Sequence, residues 1–262
     1  MLAEQRYIKI MEKLSNEEIV KTSQLKVELN ASSETIRKDL AYLEKTGHLV
    51  RVHGGAMIKT PTAKAKQEDF VSFGVRQSQN TDMKMSIALA ATSLIKEGQS
   101  IALDSGTTSF EVAKILKQKF NNLTIITNSL MNAIELVDKP GFTIITTGGI
   151  LTPDEHSFIS DFATLILDHV NIDTMFLTTC GVSLKNGVTD QRIDEVKIHN
   201  KMMQASKQVI VLADSTKFEE VSLIRVCDLK DISVIVTDKN IDSTLAYNYK
   251  KQGHNIIVAN SL

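Results

Sequence analysis

Two cysteines, three prolines and twelve glycines in 262 residues leave several protein classes without their raw material. Cys180 and Cys227 form no C-x-x-C pair and the histidines are scattered, so neither a disulfide scaffold nor a structural zinc site is expected. Reduced thiols point instead to the cytoplasm. So little proline and glycine excludes a collagenous chain. No run of about 18 uncharged apolar residues occurs, so no membrane-spanning helix is expected. The opening MLAEQRYIKI carries charge where a secretory signal needs an apolar stretch, and secretion is not expected either. Internal repeats, heptads and low-complexity tracts are also missing. No G-x-G-x-x-G follows a strand, which argues against a nicotinamide enzyme.

What is present is an ordinary globular composition, 42% hydrophobic and 23% charged, in a chain long enough for roughly two domains. The net charge of −1 hides an asymmetry: residues 1–60 hold ten Lys/Arg against eight Asp/Glu, and the remainder twenty against twenty-three. The basic end is the N-terminal one. So small an excess decides nothing unless the charges fall on one face.

The pattern over 1–58 predicts three short helices and a hairpin. Ile8, Met11 and Leu14 recur at helical spacing, with Tyr7 and Ile10 on the flanks; Ile19–Val20 reads as a brief extended turn; Leu25 and Leu29 mark a second helix ended by Asn30. Ser32 is a good N-cap for a third helix with Ile36, Leu40 and Leu43 inward, stopped at Gly47. Residues 48–58 read as two strands around Gly54-Gly55. Residues 59–82, with Pro61 and mixed charge, read as a linker turning helical toward Phe70 and Phe73. From 83 to 262, strand-like runs at 100–103, 123–127, 142–146, 174–178, 209–213, 233–237 and 255–259 alternate with helical stretches. That alternation predicts an α/β, doubly wound, mostly parallel sheet.

Two constellations carry chemistry. With its apolar stripe buried, the third helix presents Glu34, Lys38, Ala41 and Lys45 outward, with Thr35 and Arg37 flanking. Ser33 and Thr35 can donate to phosphate at the helix N-terminus, Arg37 and Lys38 add charge, and Arg51 and His53 stand at the hairpin tip. Any isolated basic pair is more often a solvated face paired with a neighbour such as Glu34. In the second half, Asp104-Ser105-Gly106-Thr107-Thr108 joins a strand to a helix and suits a phosphate, although S-G-T-T alone is more often a plain cap. Thr127-Asn128-Ser129 and Thr147-Gly148-Gly149 follow the next two strands, and ligands of open α/β sheets bind at such carboxyl ends.

Taken together, Arg6, Ile10, Leu14, then Ser32-x2-Thr35-Ile36-Arg37-Lys38-Asp39-Leu40, then Val52-His53-Gly54-Gly55-Ala56 resembles the winged helix-turn-helix of DeoR-family transcriptional regulators. Lys21 departs from the small capping residue commoner before the second helix. Gly181, Gly187-Val188-Thr189, Glu195-Val196-Lys197 and Asp214-Ser215-Thr216-Lys217-Phe218 extend the likeness to that family's effector domain, which is similar to the ribose-5-phosphate isomerase and CoA transferase-like fold. The resemblance implies that Ser33, Glu34, Thr35, Arg37, Lys38 and the wing residues Arg51 and His53 contact double-stranded operator DNA. It likewise implies that Asp104, Ser105, Gly106, Thr107, Thr108, Thr127, Asn128, Ser129, Gly148, Gly149, Lys197 and Lys217 line a pocket for a phosphorylated sugar.

The expectation is therefore a ligand-switched homo-oligomeric repressor of sugar metabolism, with no cofactor, metal or catalytic residue. The competing class is a sugar-phosphate isomerase carrying an accessory N-terminal domain. Its base would come from Asp104, Asp214 or Glu195, yet the acidic loop of those isomerases is replaced by Thr179-Cys180-Gly181-Val182-Ser183. A third reading is a plain structural domain with an empty pocket.

Overall fold

The computed structural model describes residues 3–17, 19–45, 49–52, 54–58 and 71–260. The chain divides into two compact units, Met1–Val75 and Arg76–Leu262.

The first unit contains α1 (Ala3–Glu17), β1 (Ile19–Lys21), α2 (Thr22–Glu28), α3 (Ser33–Lys45), β2 (Leu49–Val52) and β3 (Gly55–Ile58). Ile10, Leu14, Leu25, Leu29, Ile36, Leu40 and Leu43 form its core with Val20, Leu49 and Ala56. Ile8, expected on the buried stripe, is exposed, whereas Ile10 is fully buried. The inward pair on α1 is Ile10 and Leu14, one turn apart, with Tyr7 and Met11 at its margins. Ile19 and Val20 form a strand rather than a turn: β1 pairs antiparallel with β3, so the wing sheet has the order β1-β3-β2. A Cβ on Gly55 would run into the Val20 carbonyl, which is why glycine stands there.

Local chemistry explains the helix ends. The Lys21 amide donates to Gln24 Oε1 at 3.1 Å, so Gln24 covers the start of α2 that Lys21 cannot cap itself. Asn30 takes the left-handed conformation, φ +47°, between α2 and α3. Ser32 Oγ accepts the Thr35 amide at 3.0 Å, the N-cap expected for α3. Gly47, read as the stop of that helix, lies outside the described residues.

The second unit begins within α4 (Phe73–Ser78) and continues with α5 (Thr81–Thr92), so helix begins within the span read as a linker; Phe70 lies outside the described residues. Then follow β4 (Ser100–Leu103), α6 (Thr107–Lys119), β5 (Leu123–Thr127), α7 (Leu130–Leu136), β6 (Phe142–Thr146), β7 (Ile150–Thr152), β8 (Ser157–Ile159), α8 (Asp161–Leu165), β9 (Ile172–Thr178), β10 (Gly181–Ser183), β11 (Gly187–Asp190), α9 (Ile193–Gln204), β12 (Ser206–Leu212), β13 (Ile224–Cys227), β14 (Val234–Thr237), α10 (Ser243–Lys251) and β15 (Ile256–Val258).

Seven of these strands form one sheet, order β15-β14-β12-β9-β4-β5-β6, with every neighbouring pair parallel. They are the seven read from the apolar runs. Successive side chains alternate between two cores. Ile101, Leu103, Phe176 and Ile210 pack with α5 and α6, while Ala102, Met175, Leu177 and Val211 pack with α9 and α10. Both faces are covered, as apolar parallel strands require. The chain runs from β4 outward to β5 and β6, then returns to β9 on the other side of β4. The carboxyl ends of β4 and β9 therefore flank a topological switch point, where such sheets open a crevice. The hairpin β7-β8 and the antiparallel sheet β10-β11-β13 were not foreseen; strands of three or four residues are too short to show an alternation.

Candidate functional site

Asp104 follows β4 directly, and its carboxylate is fully buried. Oδ1 accepts the Gly106 amide at 3.1 Å; Oδ2 accepts the Thr178 amide at 2.6 Å and its hydroxyl at 2.7 Å. Asp104 thus builds the turn and ties it across the switch point to β9, with its oxygens spent inside the fold. A Cβ on Gly106 would overlap the Thr178 hydroxyl, so this glycine is set by packing against β9; its φ of −76° suits any residue.

The turn delivers the chain into α6. Phe110 makes the first i→i−4 bond, to Gly106 O at 3.0 Å, which leaves the amides of Thr107, Thr108 and Ser109 ahead of the helical ladder. No side chain caps this end. Among the described residues the hydroxyls of Thr107 and Thr108 make no hydrogen bond, and that of Ser109 is buried without a partner. Donors at the positive end of a thirteen-residue helix have the chemistry that suits an anion.

The neighbouring strand ends divide into two kinds. The Thr127 hydroxyl donates to Leu103 O at 2.7 Å and accepts the Ser129 amide at 3.0 Å, while Ser129 Oγ accepts the Asn132 amide at 3.2 Å as the cap of α7. These two expected ligand contacts are consumed in holding the loop. Asn128 is different: its side chain is fully buried and neither amide atom has a partner. Gly148 and Gly149, φ +64° and +103°, make the turn from β6 into β7. Asn132, not foreseen, donates to Asp104 O at 2.8 Å and links the two loops.

Two basic groups, Lys84 and Lys217, lie within electrostatic reach of each other, and Lys84 also of Glu111 in α6. Lys84 of α5 is buried, its ammonium donating to the carbonyls of Arg76 and, at 2.7 Å, Gln79. Burial lowers its proton affinity to a pKa of about 8, helped by the charges of Arg76 and Lys217 and opposed by Asp214 and Glu111. Lys217, expected in the pocket, sits half-buried in the 3-10 turn Ser215–Lys217 after β12, within electrostatic reach of Lys84. The legible signal for Lys84 was an ammonium on the same helical stripe as Ile87, Ala88 and Ala91. Lys197 does not join this group. It is exposed beside Asp161, 3.8 Å away, and stands midway between Glu195 and His199, which point back toward the turn: Glu195 Oε1 accepts the Ser105 hydroxyl at 3.2 Å, and His199 Nε2 lies 3.9 Å from Asp104 Oδ2. Residues two apart on a helix face different ways.

The carboxylates considered as an isomerase base are all occupied in construction. Besides Asp104, Glu195 accepts from Ser105 and Ser157 and pairs with Arg192, and Asp214 accepts the Thr216 amide at 3.0 Å. Burial and Asp190 push the Cys180 thiol up to about 12, far from a nucleophile. No group of three or more potential metal ligands occurs among the described residues.

In the first unit, Glu34, Arg37 and Lys38 are exposed on α3, with Ser33 and Thr35 half-buried at its start. Among the described residues neither Arg37 nor Lys38 has an ionic partner, so the self-paired reading of this face is not realised. The opposite side of α3 is anchored by Asp39, whose carboxylate accepts Arg6 of α1 through two bonds, 2.7 and 3.0 Å. Arg51 of β2 leans on α3: its amide and guanidinium meet Glu44 at 3.0 and 3.1 Å. His53 lies outside the described residues.

Comparison with known proteins agrees with both halves. Residues 6–62 match the model of the DeoR-like helix-turn-helix domain, and residues 79–239 that of the DeoR C-terminal sensor domain. A protein of Escherichia coli O157:H7 that carries the name of an aga operon transcriptional repressor is 34% identical over 257 residues, 97% of this chain and 93% of the other. Transcriptional repressor AccR of Agrobacterium fabrum is 32% identical, covering 97% of each chain. The L-fucose operon activator of Haemophilus influenzae is 32% identical, covering 82% of this chain and 83% of its own. These three are named as regulators of transcription, none as an isomerase. Among solved structures, ribose 5-phosphate isomerase A of Methanocaldococcus jannaschii is a partial likeness, TM-score 0.40 with 17% identity over 53% of this chain and 55% of that one. By its two matching domain models, which together span most of its length, the chain belongs to the DeoR family of transcriptional regulators.

Proposed function

We propose that this regulator is a cytoplasmic, homo-oligomeric repressor of a sugar-metabolism operon, released from its operator by a phosphorylated sugar or sugar derivative. The observation that carries the reading is the start of α6. Three amides precede the helical ladder, the Ser109 hydroxyl is buried without a partner, and Lys84, within electrostatic reach of Lys217 and of Glu111 in α6, supplies positive charge. A phosphate dianion satisfies all of these at once. Asn128, buried with both amide atoms free, offers a donor and an acceptor to sugar hydroxyls. On the DNA side, Ser33 and Thr35 meet phosphate, Glu34, Arg37 and Lys38 face the major groove, and Arg51 and His53 of the wing reach the backbone. One small winged helix reads few base pairs, so useful specificity calls for at least two copies on repeated half-sites. An effector that prefers the non-operator state weakens DNA binding by its coupling free energy, typically about 1–3 kcal/mol.

Isothermal titration with phosphorylated sugars, the same sugars without phosphate, and inorganic phosphate tests the site. Binding that requires the phosphate and is lost in Lys84→Met supports it. Equal binding of the unphosphorylated sugars contradicts it.

A further inference from the structure

Glu155 occupies the turn between β7 and β8, a position where carboxylates usually face water, yet it is completely buried. Its Oε2 is shared by two guanidiniums, that of Arg76 in α4 and, at 2.5 Å, that of Arg192 at the start of α9. Arg192 also reaches Glu195 Oε2 at 3.2 Å, and Glu195 Oε1 accepts the Ser105 hydroxyl at 3.2 Å. The contacts run without a gap from the anion turn to α4: Ser105, Glu195, Arg192, Glu155, Arg76. Among the described residues helix α4 is the first element after β3, and the division between the two units falls within it, at Val75 and Arg76. Its end is gripped a second time by Lys84, through the carbonyls of Arg76 and Gln79.

We propose that Glu155 is the joint that couples the effector site to α4, a positioning residue for the allosteric response rather than a ligand contact. The inference rests on reading the start of α6 as the effector site. Its physical basis is competition for two cations. Arg192 is divided between Glu155 and Glu195, and the second of these is held toward the turn by the Ser105 hydroxyl. An anion at the turn recruits that hydroxyl as a donor, which leaves Glu195 Oε1 with the Ser157 hydroxyl as its one remaining donor among these and turns the carboxylate toward Arg192. Glu155 is then held by Arg76 alone. A buried carboxylate that loses one of two partners is strongly destabilised in place, so the turn and Arg76 must shift together. Burial raises the proton affinity of Glu155 while Arg76 and Arg192 lower it, which describes a charge tolerated only through its partners. Two discrete arrangements of one contiguous network are what coupling between sites requires.

The test separates effector binding from effector response. Glu155→Gln removes the charge and keeps the shape; Arg76→Gln, whose side chain is partly exposed, removes the same contact from the other end. Probes are glycerol 3-phosphate, fructose 6-phosphate and inorganic phosphate, with duplex DNA from upstream of the chain's own gene. The wild type should lose operator affinity by a coupling of ordinary size, roughly 5- to 150-fold. Both variants should bind the same probe within about threefold of wild type while that loss shrinks to less than about threefold, and the double variant should be no worse than either single one. Faster hydrogen exchange of α4 amides in each variant without any probe is also expected. An unchanged response in the variants, or loss of probe binding with loss of response, overturns the inference while leaving the site standing. If the wild type binds no probe, the site falls and the inference with it.

Discussion

Thr178 stands where a side chain on Gly106 would have to go, and it donates both its amide and its hydroxyl to the Asp104 carboxylate, at 2.6 and 2.7 Å. The loop that opens α6 is therefore fastened to β9 before any ligand arrives. Two residues of the sequence motif, Asp104 and Gly106, serve that fastening, and the proposed ligand contacts fall to the amides and hydroxyls around them.

Gly106→Val drives a branched side chain into Thr178. Overpacking of this kind costs roughly 1–3 kcal/mol and here displaces the turn itself. Melting temperature should fall modestly, effector response should vanish, and operator affinity without effector should stay near wild type. A normal effector response in this variant would remove the turn from the site.

Ser129→Ala and Asn128→Ala separate scaffold from ligand contact. The first loses the cap of α7, worth about 1 kcal/mol, with effector affinity unchanged. The second leaves stability near wild type and weakens binding of a sugar phosphate about tenfold or more, on the scale of one or two hydrogen bonds to a ligand. Titration calorimetry beside thermal melting reads both.

With the effector phosphate beside Lys84, as proposed, effector affinity should depend on pH. The pKa of Lys84 in the folded chain is about 8, below that of an ordinary lysine, because of burial first and then the charges of Arg76 and Lys217, with Asp214 and Glu111 opposing. The unfolded chain keeps the proton where the folded chain has released it, so this group's contribution to stability rises with pH from about 8 to about 10.5. An anion beside Lys84 favours its charged form. Effector affinity should accordingly fall between pH 7 and pH 9, and Lys84→Met should flatten that dependence. A wild-type affinity constant across the range would contradict the placement of the phosphate.

Arg37→Ala should weaken operator binding by about tenfold or more, the scale of a bidentate base contact, and leave effector affinity intact. If Arg37 meets phosphate rather than a base, the loss is uniform across DNA sequences and the salt slope drops by about one. Anisotropy titrations at several salt concentrations distinguish these, and unchanged operator affinity would take α3 out of the reading role.

The parallel sheet was legible in the sequence because each of its strands is a run of apolar residues bounded by polar ones, as at Ile101–Leu103 and Val209–Leu212. Helix α1 was legible as a helix but not in its facing: Ile8 and Ile10 both fit an apolar stripe, and only the contacts of Leu14 with the rest of the core settle which turns inward. In the site, hydroxyl-rich strand ends were visible, but sequence does not tell a hydroxyl aimed at a ligand from one such as Thr127 that bonds the neighbouring strand. Lys197 was misplaced because motif adjacency to Glu195 says nothing of helical phase. Arg76, Glu155 and Arg192 lie far apart in sequence and meet only through the fold, so no local pattern marked them.

On the proposed reading, occupation of the sensor site changes affinity for DNA. The most direct measurement is binding of the purified chain to DNA upstream of its own gene, at fixed salt with competitor DNA, with and without a panel of sugar phosphates. Specific binding that a single phosphorylated compound weakens is expected. Specific binding that no compound alters, or turnover of a sugar phosphate by a chain that binds no specific DNA, would contradict that reading.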